Sequence, residues 1–200
     1  MKKIIYTIAL ITVIASCNED NLEYNNSDSP LMQIMQSMSA NMDTMTMTKD
    51  PDHDFAMMMK MHHEGAIDMA TYELANGNDN VIKAKAQMMK DSQAMEIMEL
   101  DSFMNAHTVM PDNVAGMAFM EASEMAMNTM DRNADAQKLN GDSDHDFVLL
   151  MIQHHKSAIE MADAVIEHGK VQKIKDMATM MKSDQMKEIT ELQSWLDNND

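Results

Sequence analysis

Residues 52–70 read DHDFAMMMKMHHEGAIDMA, and residues 144–162 read DHDFVLLMIQHHKSAIEMA. The second stretch begins 92 positions after the first, and the match continues without an insertion as far as Phe103 and Trp195. An offset that holds over this length indicates a tandem duplication. The chain therefore contains two copies of one unit, and the residues shared by both copies are the first candidates for a structural or functional role.

Each copy has the pattern of two helices joined by a short turn. Acidic residues at the start of each stretch suit the N-terminal turn of a helix, and Gly77 and Gly169 suit its C-terminal end. A second helical pattern follows each Gly, over about 79–105 and 171–198. We expect a helical hairpin in each copy. A further helix is expected before each hairpin, at 31–47 and at about 114–130.

The composition excludes several classes of protein. Its 33 acidic and 15 basic residues give a formal net charge of -18, which repels nucleic acids and anionic lipid headgroups. A single Cys rules out a disulfide framework, a Cys-based zinc site and an iron–sulfur cluster. Outside the leader few β-branched residues are present to build strands, and 5 Gly and 3 Pro supply few turns for a strand-rich fold. We predict an all-α bundle of two helical-hairpin repeats, at 31–105 and 117–198, joined by a linker at 106–116.

The start of the chain resembles a lipoprotein signal peptide. Two Lys residues precede an apolar run that ends at Ala15, and this run is too short to cross a bilayer as a helix. Residues 14–17, IASC, resemble the lipobox of bacterial lipoproteins, in which the Cys is lipidated. We predict a signal peptide at 1–16, lipidation at Cys17 and a flexible polar tether at 17–30.

One face of the first helix in each hairpin carries paired His residues between Met residues. At about 100° per residue these side chains fall within one arc, which we expect to be buried. The shared positions are Met59, His62, His63 and Met69 in the first copy, and Met151, His154, His155 and Met161 in the second. His53 and His145 lie outside this arc, and we expect them to act as caps or in a separate surface site.

The return helix of each hairpin brings more Met and polar residues level with the His pair. These residues are Met89, Gln93 and Glu96 in the first copy, and Met181, Gln185 and Glu188 in the second. Polar groups on or beside an apolar stripe need partners. Since a carboxylate or amide often binds the far nitrogen of a metal-bound imidazole, we predict that supporting role for the two Gln and the two Glu residues.

Thioether sulfur and imidazole nitrogen together suit a soft, singly charged metal ion, which indicates Cu(I) first and Ag(I) by the same chemistry. Zn(II) gains little from Met. The recurrence of paired His residues beside the same Met positions favours metal binding over simple packing. The predicted ligands are the four paired His residues together with Met59, Met69, Met89, Met151, Met161 and Met181.

Two other functions fit the same residues. Met is an adaptable apolar filler, so 29 Met residues would also suit an interaction module that binds no metal. A redox or electron-transfer protein that holds copper or haem is the other alternative. Catalysis is not expected, because the Glu-x-x-His pattern of di-iron bundles, the H-E-x-x-H zinc motif, a phosphate loop and a nucleophile motif are all missing from the sequence.

The repeated Asp-His-Asp-Phe, His-His, Ala-Ile and Met-Ala pattern resembles the domain of unknown function 305 family over about 31–198. That family includes Met- and His-rich envelope proteins associated with copper binding and copper tolerance. The resemblance implies a ferritin-like helical bundle and copper handling. This chain departs from the commoner Met-Ile-Pro-His-His form at Lys60-Met61 and Ile152-Gln153, so the resemblance does not carry over a helix kink before either His pair.

The sequence as a whole predicts an extracytoplasmic lipoprotein that faces the periplasm or the cell exterior. Its predicted function is to bind Cu(I) for copper buffering, sequestration or tolerance, without catalysis. The expected partners are the metal ion and, through the lipid anchor only, a membrane. A protein that donates or accepts the copper is not identified by the sequence.

Overall fold

The computed structural model describes residues 24–199, and every regular element within them is a helix. A 3-10 turn at Asn26–Asp28 precedes six α-helices in this part of the chain. They are α1 (Pro30–Asp43), α2 (Pro51–Asn76), α3 (Asn80–Ala106), α4 (Asn113–Asp135), α5 (Ser143–His168) and α6 (Gln172–Asn199). The prediction of an all-α fold is confirmed.

Helices α2 and α5 form the centre of the bundle. Helix α2 packs against α1, α3 and α5, while α5 packs against α4, α6 and α2. The central helices begin and end 92 positions apart, and α1 ends 92 positions before α4 ends. Each half of the chain therefore supplies a hairpin and a preceding helix, and the α2–α5 contact joins the two halves into one bundle.

Capping Asp residues set the start of both central helices. Asp50 accepts hydrogen bonds from the backbone N–H groups of Asp52 and His53, at 3.1 and 3.4 Å. Asp142 accepts one from the backbone N–H of His145 at 3.0 Å. These caps satisfy N–H groups that a helix leaves unpaired in its first turn. Asp52 and Asp144 lie two positions after these caps, inside the helices, and their side chains are available for other contacts.

Met residues and a few aromatic rings fill the core. The rings of Phe55 and Phe119 meet edge to face, with centroids 6.5 Å apart, and Phe147 is also fully buried. Met32 and Met35 of α1 are each 1% exposed, which fits the use of Met as a flexible filler of irregular spaces. Across residues 24–199 no helix combines the length and apolar character needed to cross a membrane.

The helix before the first hairpin is shorter than predicted. Helix α1 ends at Asp43 rather than at position 47, and the chain then runs to α2 through a loop that includes Lys49, with φ of 66°. The Asp54 carboxylate accepts the backbone N–H groups of Thr48 and Lys49 at 2.8 and 2.9 Å. If α1 continued to position 47, the backbone N–H groups of Thr48 and Lys49 would not reach the Asp54 carboxylate. This loss explains why α1 ends before position 47.

Two predicted boundaries also differ from the structure. Helix α4 begins at Asn113, so the linker predicted at 106–116 is reduced to 107–112. Asn26 Nδ2 donates to the backbone carbonyl of Gln137 at 2.7 Å, which packs the last part of the tether predicted at 17–30 against the bundle. The predicted signal peptide at 1–16 and the predicted lipidation at Cys17 lie outside the described residues.

Candidate metal centre

The first Asp of each repeated stretch binds the hairpin turn of the other copy. The Asp144 carboxylate accepts the backbone N–H groups of Asn78 and Asp79, at 2.9 and 3.0 Å. The Asp52 carboxylate accepts those of Lys170 and Val171, at 2.9 and 3.1 Å. We call these two reciprocal contacts the Asp clasp. They provide acceptors for backbone N–H groups that have no acceptor within their own hairpin. The shared Asp residues therefore have a structural role in joining the copies.

The second shared Asp binds the loop that precedes its own helix. Asp54 holds the loop before α2, and Asp146 accepts the backbone N–H groups of Asn140 and Gly141 at 3.0 and 3.1 Å. A His residue directly precedes each of these carboxylates in the chain. His53 Nδ1 lies 3.9 Å from Asp54 Oδ1, and His145 Nδ1 lies 3.4 Å from Asp146 Oδ1. Both His residues thus lie at the N-terminal ends of the central helices, away from the paired His residues.

The four paired His residues meet at the centre of the bundle, and each is fully buried. The rings of His62 and His154 face each other across the α2–α5 contact, with centroids 3.7 Å apart and planes tilted by 35°. His63 and His155 flank them, at centroid distances of 6.5 Å from His62 and 6.0 Å from His154. The sequence places these four side chains on the faces of two separate helices, but in the structure they form one cluster, which we call the His centre.

The hydrogen bonds of the two central rings indicate their tautomers. His154 Nε2 lies 2.9 Å from the backbone carbonyl of His62. Because a carbonyl only accepts, this nitrogen carries the proton. His62 Nε2 lies 2.8 Å from Ser157 Oγ. The Ser157 hydroxyl has the His154 carbonyl as an acceptor at 2.7 Å, which favours His62 Nε2 as the donor to Ser157 Oγ.

The outer two His residues face carboxylates of the return helices. His63 Nε2 lies 2.7 Å from Glu96 Oε2, and His155 Nε2 lies 2.8 Å from Glu188 Oε2. Neither contact has hydrogen-bond geometry, and both Nε2 atoms are buried without a hydrogen-bond partner. A carboxylate offers only acceptors, so its proximity favours the proton on the facing Nε2 in both rings. The structure therefore brings both Glu residues predicted as supporting groups into direct contact with the His pairs.

The Nδ1 atoms of the His centre are buried and have no hydrogen-bond partner. This holds for His62, His63, His154 and His155 alike. Since each Nε2 carries or favours the proton, each Nδ1 presents a lone pair to the interior. Burial, reinforced by the other His residues, lowers the pKa of His62 and of His154 well below 6.5. Both central rings are therefore neutral at physiological pH, the form in which an imidazole binds a metal.

The predicted Met ligands are all in the interior. Met59, Met69, Met151 and Met161 are 0% exposed, and Met89 and Met181 are 3% exposed. Within residues 24–199 no group of three or more His, Cys, Asp or Glu side chains is arranged to hold a metal ion. The four His side chains as they are placed are therefore not by themselves a preformed metal site.

The predicted Gln residues are buried without hydrogen bonds. Gln93 and Gln185 are each 3% exposed, and neither the oxygen nor the nitrogen of either amide has a partner. An unpaired buried amide is costly, and its presence in both halves points to a group that these amides would bind. The two Glu residues lie within ion-pair distance of the His pairs, whereas the Gln amides make no hydrogen bond to them.

Sequence reasoning missed Ser157, which contacts the His centre, and Met130, which contacts Ser157. Ser157 Oγ contacts His62 and lies 3.2 Å from Met130 Sδ. The first copy has Gly65 at the position of Ser157, and a Cβ atom there would collide with Met38 Sδ. The 92-residue offset between Met38 and Met130 was the available signal, because it relates the two helices that precede the hairpins.

Corresponding clefts open beside the two His pairs. The first has a volume of about 500 Å³ and is lined by Met38, Gly65 and the acidic Glu64 and Asp68. The second has a volume of about 170 Å³, and its lining includes Met130, Ser157 and Lys156. Because Ser157 is hydrogen-bonded to His62, a single side chain separates the second cleft from the His centre.

The domain of unknown function family DUF305 matches the chain over residues 15–104 and again over 52–196. The chain belongs to the DUF305 family. The resemblance that was noted in the sequence is thereby confirmed. No curated protein matches the chain.

Among solved structures, the chain is similar to a crystal structure of a DUF305 protein from Streptomyces coelicolor, which is described as secreted. The TM-score is 0.57 at 22% sequence identity, and the match covers 76% of this chain and 95% of that chain. At this identity the likeness supports the bundle fold alone. The function of this DUF305 protein must therefore be argued from its own residues.

Proposed function

We propose that this protein binds Cu(I) at the His centre and serves in copper buffering, sequestration or tolerance, without catalysis. The observation that carries the proposal is the set of four buried Nδ1 atoms that lack hydrogen-bond partners. Core His residues that serve only packing normally satisfy both ring nitrogens. Here one nitrogen of each ring faces an acceptor and the other is left with a lone pair.

The donor types around the His centre support a soft metal. Neutral imidazole nitrogen and thioether sulfur are the available ligands, and no thiolate is present in the described residues. Cu(I), and Ag(I) by the same chemistry, accepts this combination, whereas Zn(II) prefers thiolate, imidazole and carboxylate. We assign the nitrogen ligands to His62, His63, His154 and His155 and the sulfur ligands to the six buried Met residues predicted from the sequence.

The groups behind the imidazoles support the same proposal. Glu96 and Glu188 each approach the Nε2 atom of an outer His, on the side away from its free Nδ1. This is the arrangement in which a carboxylate orients a metal-bound imidazole and makes it a better donor. Gln93 and Gln185 have unpaired amides in the same interior and would supply further polar contacts on metal binding.

The proposed location is the cell envelope. The signal peptide and the lipidation at Cys17 are inferred from the sequence pattern, and they place the bundle where envelope copper is accessible. The acidic surface of the protein would attract cations there. The secreted description of the Streptomyces coelicolor protein agrees with such a location.

Anaerobic titration against a chromophoric Cu(I) chelator tests the proposal. The wild-type bundle is expected to withdraw Cu(I) from micromolar chelator, and the His63→Gln/His155→Gln variant is expected to withdraw less. The matched control is His53→Gln/His145→Gln, which changes two His residues outside the His centre and is expected to behave as wild type. Circular dichroism establishes that each variant is folded. Failure of the folded wild-type protein to withdraw any Cu(I) would overturn the proposal.

A further inference from the structure

A second group of Met residues lines a cleft on the opposite side of α1 from the first acidic cleft. The cleft has a volume of about 420 Å³ and lies between α1, the loop that follows it, α2 and α4. Six Met residues line it: Met42, Met45, Met47, Met58, Met120 and Met127. None of them belongs to the His centre, and we call this feature the Met cleft.

The Met cleft is open to water, in contrast with the His centre. Met42, Met58 and Met127 are buried at 4–5% exposure and belong to the wall of the core. Met45, Met47 and Met120 are only partly buried. Thioether groups therefore extend from the interior to the mouth of the cleft, where a hydrated metal ion can reach them without opening the bundle.

A buried carboxylate oxygen in the Met cleft has no partner. Asp131 Oδ2 accepts a hydrogen bond from Ser39 Oγ at 2.7 Å. Asp131 Oδ1 is buried and makes no hydrogen bond. Burial raises the pKa of Asp131, and the nearby Asp135 and Asp43 raise it further. A cation in the cleft would give Asp131 Oδ1 a partner and would reduce the repulsion between these acidic groups.

Ordinary packing does not account for this combination. Asp131 as a residue is only partly buried, but its Oδ1 atom is buried, and a buried carboxylate oxygen without a partner costs stability unless a ligand compensates it. Glu124 and Asp43 add two more acidic groups to the lining. The cleft therefore offers soft sulfur donors together with negative charge, which matches a soft cation better than an apolar peptide or an anion.

We propose that the Met cleft is a second site for a soft monovalent metal ion, Cu(I) or Ag(I), bound by Met thioethers with charge supplied by Asp131. The site shares with the proposed function only the affinity of thioether sulfur for soft metals, and it uses no residue of the His centre. The Met cleft is open to water, which fits a role in capturing the metal ion before the ion moves into the interior of the bundle.

Titration of Ag(I) into protein labelled with ¹³C at the Met methyl groups tests the proposal directly. We expect the signals of Met45, Met47 and Met120 to shift as Ag(I) is added, with assignments from single Met→Leu variants. The exposed Met88, Met98 and Met180 provide internal references, because they lie on α3 and α6 outside the cleft. Cleft signals that stay fixed at saturating Ag(I) would overturn the proposal, whatever the other Met signals do.

Metal counting on matched variants separates the two sites. Met45→Leu/Met47→Leu/Met120→Leu is expected to bind fewer Ag(I) ions than wild type, and Asp131→Asn is expected to weaken cleft binding several-fold. The control Met88→Leu/Met98→Leu/Met180→Leu is expected to bind as many ions as wild type. If His63→Gln/His155→Gln retains full metal while the cleft variant loses some, the proposed His centre fails and the Met cleft stands. Equal metal content in the cleft and control variants would count against the Met cleft.

Discussion

The rings of His62 and His154 lie 3.7 Å apart between centroids, and among residues 24–199 no carboxylate is paired to either ring. Two imidazoles this close and fully buried are stable only when both are neutral, because a charge on one would be desolvated and repelled by a charge on the other. The hydrogen bonds from both Nε2 atoms into the protein keep the rings in place. The centre of the bundle thus depends on the protonation state of two His residues.

We predict that acid destabilises the bundle through this pair. Because their pKa values are lowered in the folded state, His62 and His154 bind fewer protons there than in the unfolded chain. Their contribution is complete above about pH 6.5 and is lost progressively as the pH falls below that value. Because the raised pKa of Glu73 has the opposite effect in this interval, the test uses the Glu73→Gln protein, whose urea unfolding is expected to show a lower free energy of unfolding at pH 5.5 than at pH 7.

His62→Gln/His154→Gln provides the comparison for this prediction. If the variant folds in the Glu73→Gln background, its free energy of unfolding should depend less on pH between 5.5 and 7 than that of the Glu73→Gln protein. His53→Gln/His145→Gln in the same background is the control and should keep the dependence of the Glu73→Gln protein. The same slope for the Glu73→Gln protein and for the folded central variant would contradict the assignment.

Glu73 predicts a pH dependence of the opposite sign. Burial, with Asp144 next to it, raises the pKa of this carboxyl to about 8, and Ser143 Oγ donates to it at 2.7 Å. The folded state therefore holds a proton that the unfolded chain loses near its ordinary pKa of about 4.5. Stability is then lost as the pH rises towards 8.

Measurement between pH 6.5 and 8 isolates Glu73, since the central His residues contribute no slope above about pH 6.5. The free energy of unfolding of wild type is expected to decrease across this interval, and Glu73→Gln is expected to remove most of the decrease. Glu64→Gln, an exposed change on the same helix, serves as the control. A Glu73→Gln curve parallel to that of wild type would show that this carboxyl is not protonated in the fold.

The Asp clasp predicts a large effect from a residue far from the His centre. Asp144→Ala leaves the backbone N–H groups of Asn78 and Asp79 without their partner. Asn78 is exposed and Asp79 is half-buried, but each loses a hydrogen bond to a charged carboxylate that contributes on the order of 1 kcal/mol, so we expect a loss of about 2 kcal/mol in the free energy of unfolding. Asp184→Ala, at an exposed position of α6, is expected to change it by less than about 0.5 kcal/mol. Equal melting temperatures for the two variants would argue against the clasp.

The helices and the buried face of each hairpin were predictable because they follow from local periodicity. The spacing of Met59, His62 and Met69 places them on one side of α2 without knowledge of any other helix. The contact between His62 and His154 was not predictable in this way, because it depends on how α2 crosses α5. Ser157 was missed for the same reason, since its partner lies 95 positions away.

The role of the shared Asp residues was also beyond local reasoning. An acidic residue in the first turn of a helix suits the helix dipole, and that explanation was sufficient for the sequence. The structure shows that Asp50 and Asp142 cap the helices, while Asp52 and Asp144 bind backbone groups more than 60 positions away. A contact with a residue far along the chain produces no periodic pattern in the sequence. The recurrence of these Asp residues in both copies was therefore the only sequence signal for their role.

The contacts of Glu96 and Glu188 give a prediction that separates a metal centre from a packed core. Each carboxylate lies within 2.8 Å of an outer His Nε2 and would orient the ring for a metal at Nδ1. Loss of such a supporting group typically weakens metal binding by roughly 10–100-fold. We therefore expect Glu96→Gln/Glu188→Gln to lower the affinity for Cu(I) by about that factor in a chelator competition. Glu99→Gln, an exposed change three residues along α3, should leave the affinity unchanged. Unaltered affinity in the folded double variant would mean that the metal does not bind through His63 and His155.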